Sequence, residues 1–301
     1  MTDRSVTASW RVLLAETVDR LAAAHVAQPA MEARWIVEEA SGLEGSEWIL
    51  GLEGAAPRRC VAHLDHMVER RRGGEPIQYV LGRWGFRTLD VACDRRALIP
   101  RPETEQVVEL AVAELDRVRS LRPAGHRPVA VDLGTGTGVI ALSVASERPA
   151  TEVWGVDRSA DALALARANL AGLGMAGTRV RLVEGSWFSS LPPELAGSVD
   201  LVVTNPPYVA QTEDLPPSVV DWEPVAALVP GPTGLEAYEA ILVDLARWLA
   251  PQGAFVAEIG ATQGEAVADL LGGAGFAQIR VERDLAGHDR VVVARRPGMS
   301  G

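Results

Sequence analysis

The sequence predicts an α/β fold in which a doubly wound sheet follows a small helical domain. Two observations predict it. Before about Gly74 the apolar residues recur with helical spacing, and after Pro128 strand-like apolar runs alternate with helical segments. Alternation of this kind is typical of a parallel sheet with helices on both faces. We therefore expect one large α/β domain with a helical domain before it.

The first 75 residues are predicted to form the helical domain. A first helix follows the i, i+3, i+4 rule through Trp10, Leu13, Leu14, Val18 and Leu21. A second helix is marked by Met31, Trp35 and Ile36, and a third by Val61, Leu64 and Val68. The third ends in Arg70-Arg71-Arg72 and two glycines, which we interpret as a solvated helix end favoured by the dipole.

Residues 76–101 are predicted to be a hairpin connector. The stretches Tyr79-Val80-Leu81-Gly82 and Phe86-Arg87-Thr88-Leu89-Asp90-Val91 have the pattern of two short strands. Pro100 and Pro102 close the connector, and a helix is predicted from Glu103 to about Val118. The remaining residues, 102–301, are assigned to the α/β domain.

The predicted sheet begins at residues 129–133. This run is apolar throughout, as expected of a parallel strand that is buried on both faces. Further strands are predicted near residues 151–156, 180–183, 201–204, 254–258, 279–282 and 290–294. Helices fit between several of them, for example at residues 139–145, 159–173 and 235–249.

Charge and cysteine content narrow the function classes. The formal net charge is −11, and all 29 basic residues are arginine. An acidic chain is a poor candidate for binding that depends on phosphate neutralisation, so we do not expect direct nucleic-acid binding. The two cysteines, Cys60 and Cys93, match neither a disulfide framework nor a zinc pattern, and we expect no metal site.

The start of the chain predicts its compartment. Met1-Thr2-Asp3-Arg4-Ser5-Val6-Thr7 lacks the basic and then apolar pattern of a signal peptide. No apolar run approaches the ~20 residues that a membrane span needs. We therefore expect a cytoplasmic protein with no membrane partner.

A glycine-rich loop follows the first strand of the predicted sheet. Asp132-Leu133-Gly134-Thr135-Gly136-Thr137-Gly138 precedes a helix, and Asp157 ends the next strand about 20 residues later. Glycines let the backbone approach a ligand, and an acid at that place can bind ribose hydroxyls. The spacing is neither that of dinucleotide dehydrogenases nor that of a P-loop. The alternative is a tight turn with an unrelated acid, which leaves the agreement of strand, loop, helix and acid unexplained.

The fourth strand of the predicted sheet ends in Asn205-Pro206-Pro207-Tyr208. Ligands of open α/β sheets bind outside the carboxyl ends of the strands. Two prolines stiffen the backbone and remove donors, Asn205 adds an amide oxygen, and Tyr208 can stack on a flat group. Such acceptors suit a planar amide or amine nitrogen, which they can hold for methyl transfer by orientation and electrostatics. A stiff loop without chemistry is the alternative.

These motifs resemble the HemK/PrmC family of protein-glutamine methyltransferases over nearly the whole chain. The stretches that carry the resemblance are Pro76-Ile77-Gln78-Tyr79-Val80-Leu81-Gly82, Leu98-Ile99-Pro100-Arg101-Pro102-Glu103-Thr104-Glu105, the glycine loop, Asp157, Asn205-Pro206-Pro207-Tyr208, Trp222-Glu223-Pro224, Ala227-Leu228, Gly234-Leu235, Glu258-Ile259-Gly260 and Gln263-Gly264. The resemblance implies a class I, Rossmann-like methyltransferase domain. It also implies methyl transfer from S-adenosylmethionine to the glutamine amide of the Gly-Gly-Gln motif in peptide chain release factors, which would be the protein partner.

The resemblance also implies roles for single residues. The cofactor's methionine part would face the backbone of Gly134, Thr135, Gly136, Thr137 and Gly138. Asp157 would bind its ribose, and Trp187 would lie beside its adenine. Asn205 would touch both the cofactor region and the substrate amide, with Pro206, Pro207 and Tyr208 completing the catalytic motif. One departure is Ser186, which stands where the family usually has Asp.

Three other functions stay open at this stage. Asn-Pro-Pro-Tyr alone is shared with enzymes that methylate the amino groups of nucleic acid bases, although Arg101-Pro102-Glu103-Thr104-Glu105 favours the protein-glutamine enzymes. A small-molecule methyltransferase on the same scaffold is the second alternative, because fold does not fix substrate. A non-catalytic binding module is the third. In the leading interpretation, the helical domain at residues 1–75 docks the substrate protein.

Overall fold

The computed structural model describes residues 8–298, so the predicted absence of a signal peptide at residues 1–7 lies outside the described part. The chain forms two compact units. The first runs to Arg83 and includes Pro217–Trp222, and the second contains Trp84–Pro216 and the residues from Glu223 onwards. The three-part division at residues 75 and 101 stays a prediction.

The first unit is helical. Its helices are α1 (Trp10–Ala23), α2 (Pro29–Ser41), α3 (Gly45–Gly51), α4 (Arg58–Arg72) and α5 (Ile77–Leu81). Ser9 caps α1, since its hydroxyl accepts a hydrogen bond from the backbone N–H of Val12. The core of the unit includes Trp10, Leu13, Leu21, Ile36, Val37, Leu64, Met67 and Val68. The helical periodicity thus predicted the buried faces only in part. Leu14, Val18, Trp35 and Val61 are half-buried, and Met31 is exposed.

The predicted hairpin is wrong in its first arm. Residues 79–81 lie in helix α5, and the two strands are β1 (Arg83–Phe86) and β2 (Leu89–Ala92). Pro76 stands before α5 and accepts from the N–H groups of Tyr79 and Val80, and Gly82 ends the helix at φ +73°. A short apolar run does not distinguish a strand from a helical turn, and these flanking residues decide for the turn.

The basic end of α4 is less solvated than predicted. Arg70 donates to Glu75 and to the carbonyls of Tyr79 and Val80. Arg71 pairs with the mostly buried Glu32 of α2. These arginines therefore hold α2, α4 and α5 together rather than pointing freely into water.

The second unit contains a seven-stranded sheet with helices between its strands. In chain order its elements are α6 (Pro102–Ser120), β3 (Val129–Leu133), α7 (Val139–Glu147), β4 (Glu152–Asp157), α8 (Ala160–Ala171), β5 (Val180–Glu184), β6 (Val199–Thr204), α10 (Glu236–Trp248), β7 (Leu249–Glu258), α11 (Gly264–Gly273), β8 (Ala277–Arg283) and β9 (Asp289–Arg295), with α9 (Pro217–Val220) belonging to the first unit. All seven predicted strands are present, within five residues at their ends.

The strand order is β5-β4-β3-β6-β7-β9-β8. The first five strands of this order are parallel, whereas β9 pairs antiparallel with both β7 and β8. The chain leaves β3 towards β4 and β5 on one side and later returns to β6 on the other. The carboxyl ends of β3 and β6 therefore form a topological switch point, where doubly wound sheets bind ligands.

The sheet is covered on both faces. One face packs on α6 and α7 through residues such as Ala130, Val153, Leu201 and Val256. The other packs on α10 and α11 through Val131, Val156, Val202 and Phe255. Successive residues of a strand point to opposite faces, so an apolar strand feeds both cores. This is the arrangement that the sequence predicted.

Helix α6 is the longest described helix, with 19 residues. Its first turn carries Glu103 and Glu105 and its last turn Arg117 and Arg119, which complements the helix dipole. Within residues 8–298, no helix combines the length and apolar character that crossing a lipid bilayer requires.

Candidate active site

A cavity of about 380 Å³ lies at the carboxyl ends of β3, β4 and β6, inside the second unit. Its wall includes residues 134–137 of the glycine loop after β3, Asp157 at the end of β4, and Asn205 after β6. Trp187 and the segment 96–101 also line it. The structure therefore brings most of the predicted site residues to one cavity, of a size usual for small-ligand sites.

The glycine loop connects β3 to α7 with left-handed backbone at three positions. Gly134, Gly136 and Gly138 have φ values of +71°, +55° and +88°. A Cβ at Gly134 would have no neighbour within 4 Å, and one at Gly136 would meet only the Gly134 carbonyl at 4.0 Å. The loop therefore presents bare backbone to open space, which fits a ligand that packs directly on it.

Two residues that the sequence analysis left without a role shape this loop. The buried carboxylate of Asp132 accepts from the hydroxyl of Thr135 at 2.6 Å and from the N–H of Ala141 at 3.1 Å. Burial raises the pKa of Asp132 to about 7, against the opposing effect of these two hydrogen bonds. A Cβ on Gly155 of β4 would lie 2.7 Å from the side chain of Leu182 and 2.9 Å from the Thr135 hydroxyl, so a larger residue here would displace one of these side chains.

Asp157 is tied to the loop by its carboxylate. Its Oδ2 accepts from the N–H of Gly136 at 2.9 Å, and its Oδ1 accepts from the N–H of Ser159 at 2.9 Å. A carboxylate has about four acceptor positions, so two backbone bonds leave capacity for the hydroxyls of a ribose. The orientation fixed by Gly136 and Ser159 suits that role.

Trp187 lies on the cavity wall in a strained backbone conformation. Its φ is +50°, which is unusual for a bulky side chain. Its half-buried ring also packs against the core on the α10 side of the sheet. The neighbouring Ser186 is exposed and its N–H donates to the Ser189 hydroxyl, so it too lies at the cavity edge. Trp187 thus lies on the wall of the same cavity as the glycine loop, and its contact with an adenine ring stays a prediction.

The Asn205 motif is divided between the cavity and the protein interior. Asn205 and Pro207 line the cavity. The Asn205 Nδ2 donates to the hydroxyl of Thr104 at 3.1 Å. Tyr208 turns inward, and its hydroxyl donates to the buried carboxylate of Glu258 at 3.2 Å. Burial raises the pKa of Tyr208, so this hydroxyl stays a donor. Three predicted site residues, Gly138, Pro206 and Tyr208, are not part of the cavity wall. A Cβ at Gly138 would instead lie 3.3 Å from the side chain of Leu142 on α7.

Residues far along the chain fasten this motif. The Nε2 of Gln263 donates to the Tyr208 carbonyl at 2.9 Å, while its Oε1 accepts from the N–H of Gly260. Gly234 lies so close that a Cβ there would be 2.4 Å from the Tyr208 carbonyl. Gly234, Gly260 and Gln263 carried the family resemblance without a role, and the structure gives them one.

The sequence analysis also assigned no site role to Thr104, Glu223 and Glu258. Glu223 is buried and accepts from the N–H of Ile99 at 3.0 Å and from the guanidinium of Arg101. It holds the 99–101 segment in place as part of the cavity wall. All three residues lie in sequence motifs, but nothing in the spacing of those motifs indicates which distant residue each one contacts.

The fold and the site define the class of protein: this is an S-adenosylmethionine-dependent methyltransferase with a Rossmann-like sheet. The family "Methyltransferase small domain" matches residues 117–220, and "PrmC N-terminal domain" matches residues 13–82. Among solved structures, the hMettl16 catalytic domain in complex with MAT2A 3'UTR hairpin 6 has a TM-score of 0.53 and 13% identity, covering 80% of this chain and 82% of that one. At that identity the likeness concerns the fold alone.

Curated relatives identify the family more closely. The release factor glutamine methyltransferase of Caulobacter vibrioides is 39% identical over 277 residues, which cover 91% of this chain and 92% of the relative. The enzyme of the same name from Cereibacter sphaeroides is 40% identical over 291 residues, 94% of this chain and 97% of the relative. The chain belongs to the release factor glutamine methyltransferase family. The resemblance found in the sequence is confirmed, and with it S-adenosylmethionine as the methyl donor.

Proposed function

We propose that this chain methylates the side-chain amide nitrogen of the glutamine in the Gly-Gly-Gln motif of peptide chain release factors. One observation carries the proposal. Asn205 lines the same cavity as the glycine loop, and its Nδ2 donates to Thr104, so its oxygen is the acceptor that Thr104 leaves for a partner. An acceptor oxygen beside the donor-binding loop is what a substrate NH2 group needs. The names of the relatives supply the protein that carries such an amide.

The wall of the cavity fits S-adenosylmethionine. The backbone of residues 134–137 would lie against its methionine part, the free acceptor positions of Asp157 would bind its ribose, and Trp187 would lie beside its adenine. When bound, this cofactor supplies a methyl group on a positively charged sulfur. These residues bind and orient the cofactor, whereas Asn205 and its neighbours hold the acceptor nitrogen.

Asn205 and its neighbours act on the acceptor. An amide nitrogen is a weak nucleophile, because its lone pair is delocalised into the carbonyl. Holding its N–H bonds with the Asn205 oxygen and nearby backbone carbonyls fixes the position of the nitrogen and favours the pyramidal geometry in which the lone pair is available. Pro206 and Pro207 keep these acceptors rigid, so little reorganisation is needed during the reaction.

The partner of the enzyme is then a protein. We propose that the helical domain at residues 1–75 docks the release factor while its Gly-Gly-Gln loop enters the cavity. The net charge of −11 gives no support to a direct nucleic-acid substrate. Because release factors act in translation, the proposal places the reaction in the cytoplasm.

Mass spectrometry of a release factor tests this proposal. The full chain is incubated with an isotopically labelled methyl donor and a release factor, and the peptide that contains Gly-Gly-Gln is sequenced. We expect one labelled methyl on the glutamine and none on a factor in which that glutamine is alanine. Label on the alanine factor, or on duplex DNA or ribosomal RNA in place of the factor, would overturn the proposal.

A further inference from the structure

A chain of hydrogen bonds runs from Asn205 into the protein interior. The Asn205 Nδ2 donates to Thr104 Oγ1 at 3.1 Å, and Thr104 Oγ1 donates to Glu258 Oε2 at 2.6 Å. The hydroxyl of Tyr208 donates to the other oxygen, Glu258 Oε1, at 3.2 Å. Thr104 is 3% exposed and Glu258 is 1% exposed. The catalytic amide is therefore connected to a buried carboxylate through one threonine hydroxyl.

The chemistry of these groups gives the chain a direction. An ionised carboxylate can only accept hydrogen bonds. Thr104 has a single hydroxyl hydrogen, which it donates to Glu258, so towards Asn205 it can only accept. The nitrogen end of the Asn205 amide is the end that can donate, and its oxygen must then be the end that Thr104 does not engage.

We propose that Thr104 and Glu258 are positioning residues that fix which end of the Asn205 amide meets the substrate. This rests on the proposed function in one respect, namely that Asn205 accepts from the substrate NH2. With the amide turned over, Nδ2 would face that NH2 and two donors would meet. The proline-stiffened loop fixes the position of Asn205, and the buried carboxylate of Glu258 fixes the orientation of its amide through Thr104.

The groups around Glu258 determine the pH range in which its carboxylate is ionised and can orient Asn205 through Thr104. Burial raises its pKa, and the hydrogen bonds from Thr104 and Tyr208 oppose that rise. From neighbouring elements Arg290 on β9 lowers the pKa and Glu103 on α6 raises it, while Tyr238 on α10 donates to the backbone carbonyl of Glu258. The net direction is upward. As the pH falls through this raised pKa, Glu258 gains a proton. Its carboxyl group can then donate to Thr104, so Thr104 is no longer restricted to accepting from Asn205, and the methyl-transfer rate should fall.

Three substitutions in the full chain test the proposal by single-turnover methyl transfer across pH. Thr104→Ser keeps the hydroxyl and should stay within about threefold of wild type. Thr104→Val keeps the shape without the hydroxyl and should lose at least tenfold in rate. Glu258→Gln supplies an amide that can donate to Thr104 and so allows the reversed direction. It should lose at least tenfold in rate, and the acid limb of the wild-type profile should disappear.

Two measurements separate positioning from general support of the fold. KM for the release factor and affinity for the methyl donor should stay within about twofold in all three variants, so that the loss lies in kcat. Thr17→Val is the matched control, since Thr17 is a buried threonine whose hydroxyl has no partner among the described residues. It should leave the rate unchanged. Wild-type rate and an unaltered acid limb in Glu258→Gln would overturn the proposal, as would equal losses in Thr104→Ser and Thr104→Val.

A readout without substrate keeps this inference distinct from the proposed function. In the ¹⁵N-labelled full chain, the side-chain NH2 signals of Asn205 are assigned by their loss in Asn205→Ala. They should shift with pH as Glu258 titrates, and Glu258→Gln should abolish that shift. Signals that are identical in wild type and Thr104→Val would contradict the hydrogen-bond chain even if the glutamine is methylated. The expected shifts without methylation of any release factor would instead contradict the proposed function alone.

Discussion

At the scale of single residues, the site depends on positions where the backbone itself lines the cavity. Gly134 and Gly136 have left-handed φ values and would direct a Cβ into open space beside the cavity. The carboxylate of Asp157 accepts a hydrogen bond from the Gly136 N–H and so fixes the loop at this point. A side chain at either glycine would both strain the backbone and occupy the space of the cofactor.

Gly136→Val tests this interpretation of the loop. We expect a folded protein whose affinity for S-adenosylmethionine is lost, because a branched side chain would stand where the ligand packs. Isothermal titration calorimetry measures the affinity and circular dichroism the fold. Gly125→Val is the matched control, since Gly125 has φ +87° and open space in an exposed turn away from the cavity. Unchanged affinity in a folded Gly136→Val protein would remove the loop from the site.

Gly136, Asp157 and Asn205 on the cavity wall could be predicted, whereas the residues that support them could not. Gly136, Asp157 and Asn205 stand at strand ends, a place that the alternation of strands and helices predicts. Thr104 and Glu258 are 154 residues apart in the chain and meet only because α6 covers the sheet near the end of β7. Local sequence patterns carry no information on such a pairing. Trp187 is intermediate, because its φ of +50° occurs at a residue other than glycine, where the sequence gives no sign of a left-handed backbone.

At the scale of elements, a buried carboxylate joins α6 to the antiparallel edge of the sheet. Glu114 on α6 is 2% exposed and pairs with Arg117, with Arg280 on β8 and with Arg295 on β9. Burial alone would raise the pKa of Glu114, but hydrogen bonds from Arg295 and Arg117 outweigh it and lower the pKa to about 2. The folded state therefore favours the ionised form.

Glu114→Gln should lower the free energy of unfolding by about 2–3 kcal/mol at neutral pH, because three arginines lose their charged partner. A lowered carboxyl pKa contributes stability above its ordinary value of about 4.5 and loses it as the pH falls towards 2. The difference between wild type and variant should therefore shrink over that window in urea unfolding followed by circular dichroism.

The control for this measurement is on the same helix. Asp116 is 41% exposed and pairs with Arg148 and Arg119, so Asp116→Asn should cost about 1 kcal/mol or less. A Glu114→Gln deficit that stays constant between pH 6 and pH 3 would contradict the ion-pair account.

The elements with a clear period were predictable, and the short ones were not. The apolar strands β3 to β9 and helix α6 were found at nearly their observed positions. Helix α5 has five residues, too few to show a helical period, so its apolar residues also fit the pattern of a strand. The sequence pattern does not predict helix α3, because this helix has only seven residues and one buried side chain, Trp48.

At the scale of the whole molecule, the first unit contains residues from two distant parts of the chain. Pro217–Trp222 belongs to it although these residues follow the Asn205 motif in sequence. Chain order alone assigns them to the α/β domain, because it is the only guide to domain membership before contacts are known. Removing residues 1–75 would therefore separate this segment from its unit, and tests of docking should keep the full chain.

Leu50→Glu in the full chain tests whether the helical domain docks the release factor. Leu50 and Ile49 on α3 are 82% and 73% exposed, an apolar pair that a docked protein would cover. We expect KM for a folded release factor to rise about fivefold or more, the size of a lost interface contact, with KM for a short Gly-Gly-Gln peptide unchanged.

The control for docking is Val243→Glu on α10, because Val243 is also 82% exposed but belongs to the second unit. It should leave both KM values unchanged. Equal rises in KM for the release factor and the peptide in Leu50→Glu would contradict a docking role for this surface.

The measurement that tests the central claim most directly is single-turnover methyl transfer by Asn205→Ala to a release factor that contains Gly-Gly-Gln. Gln211→Ala serves as the control, since it removes an exposed amide a few residues further along the same segment. We predict that Asn205→Ala loses on the order of a hundredfold or more in kcat, while its affinity for S-adenosylmethionine falls only modestly, because the glycine loop and Asp157 remain. Methyl transfer by Asn205→Ala at nearly the rate of Gln211→Ala would show that the substrate nitrogen is held elsewhere, and would contradict the account.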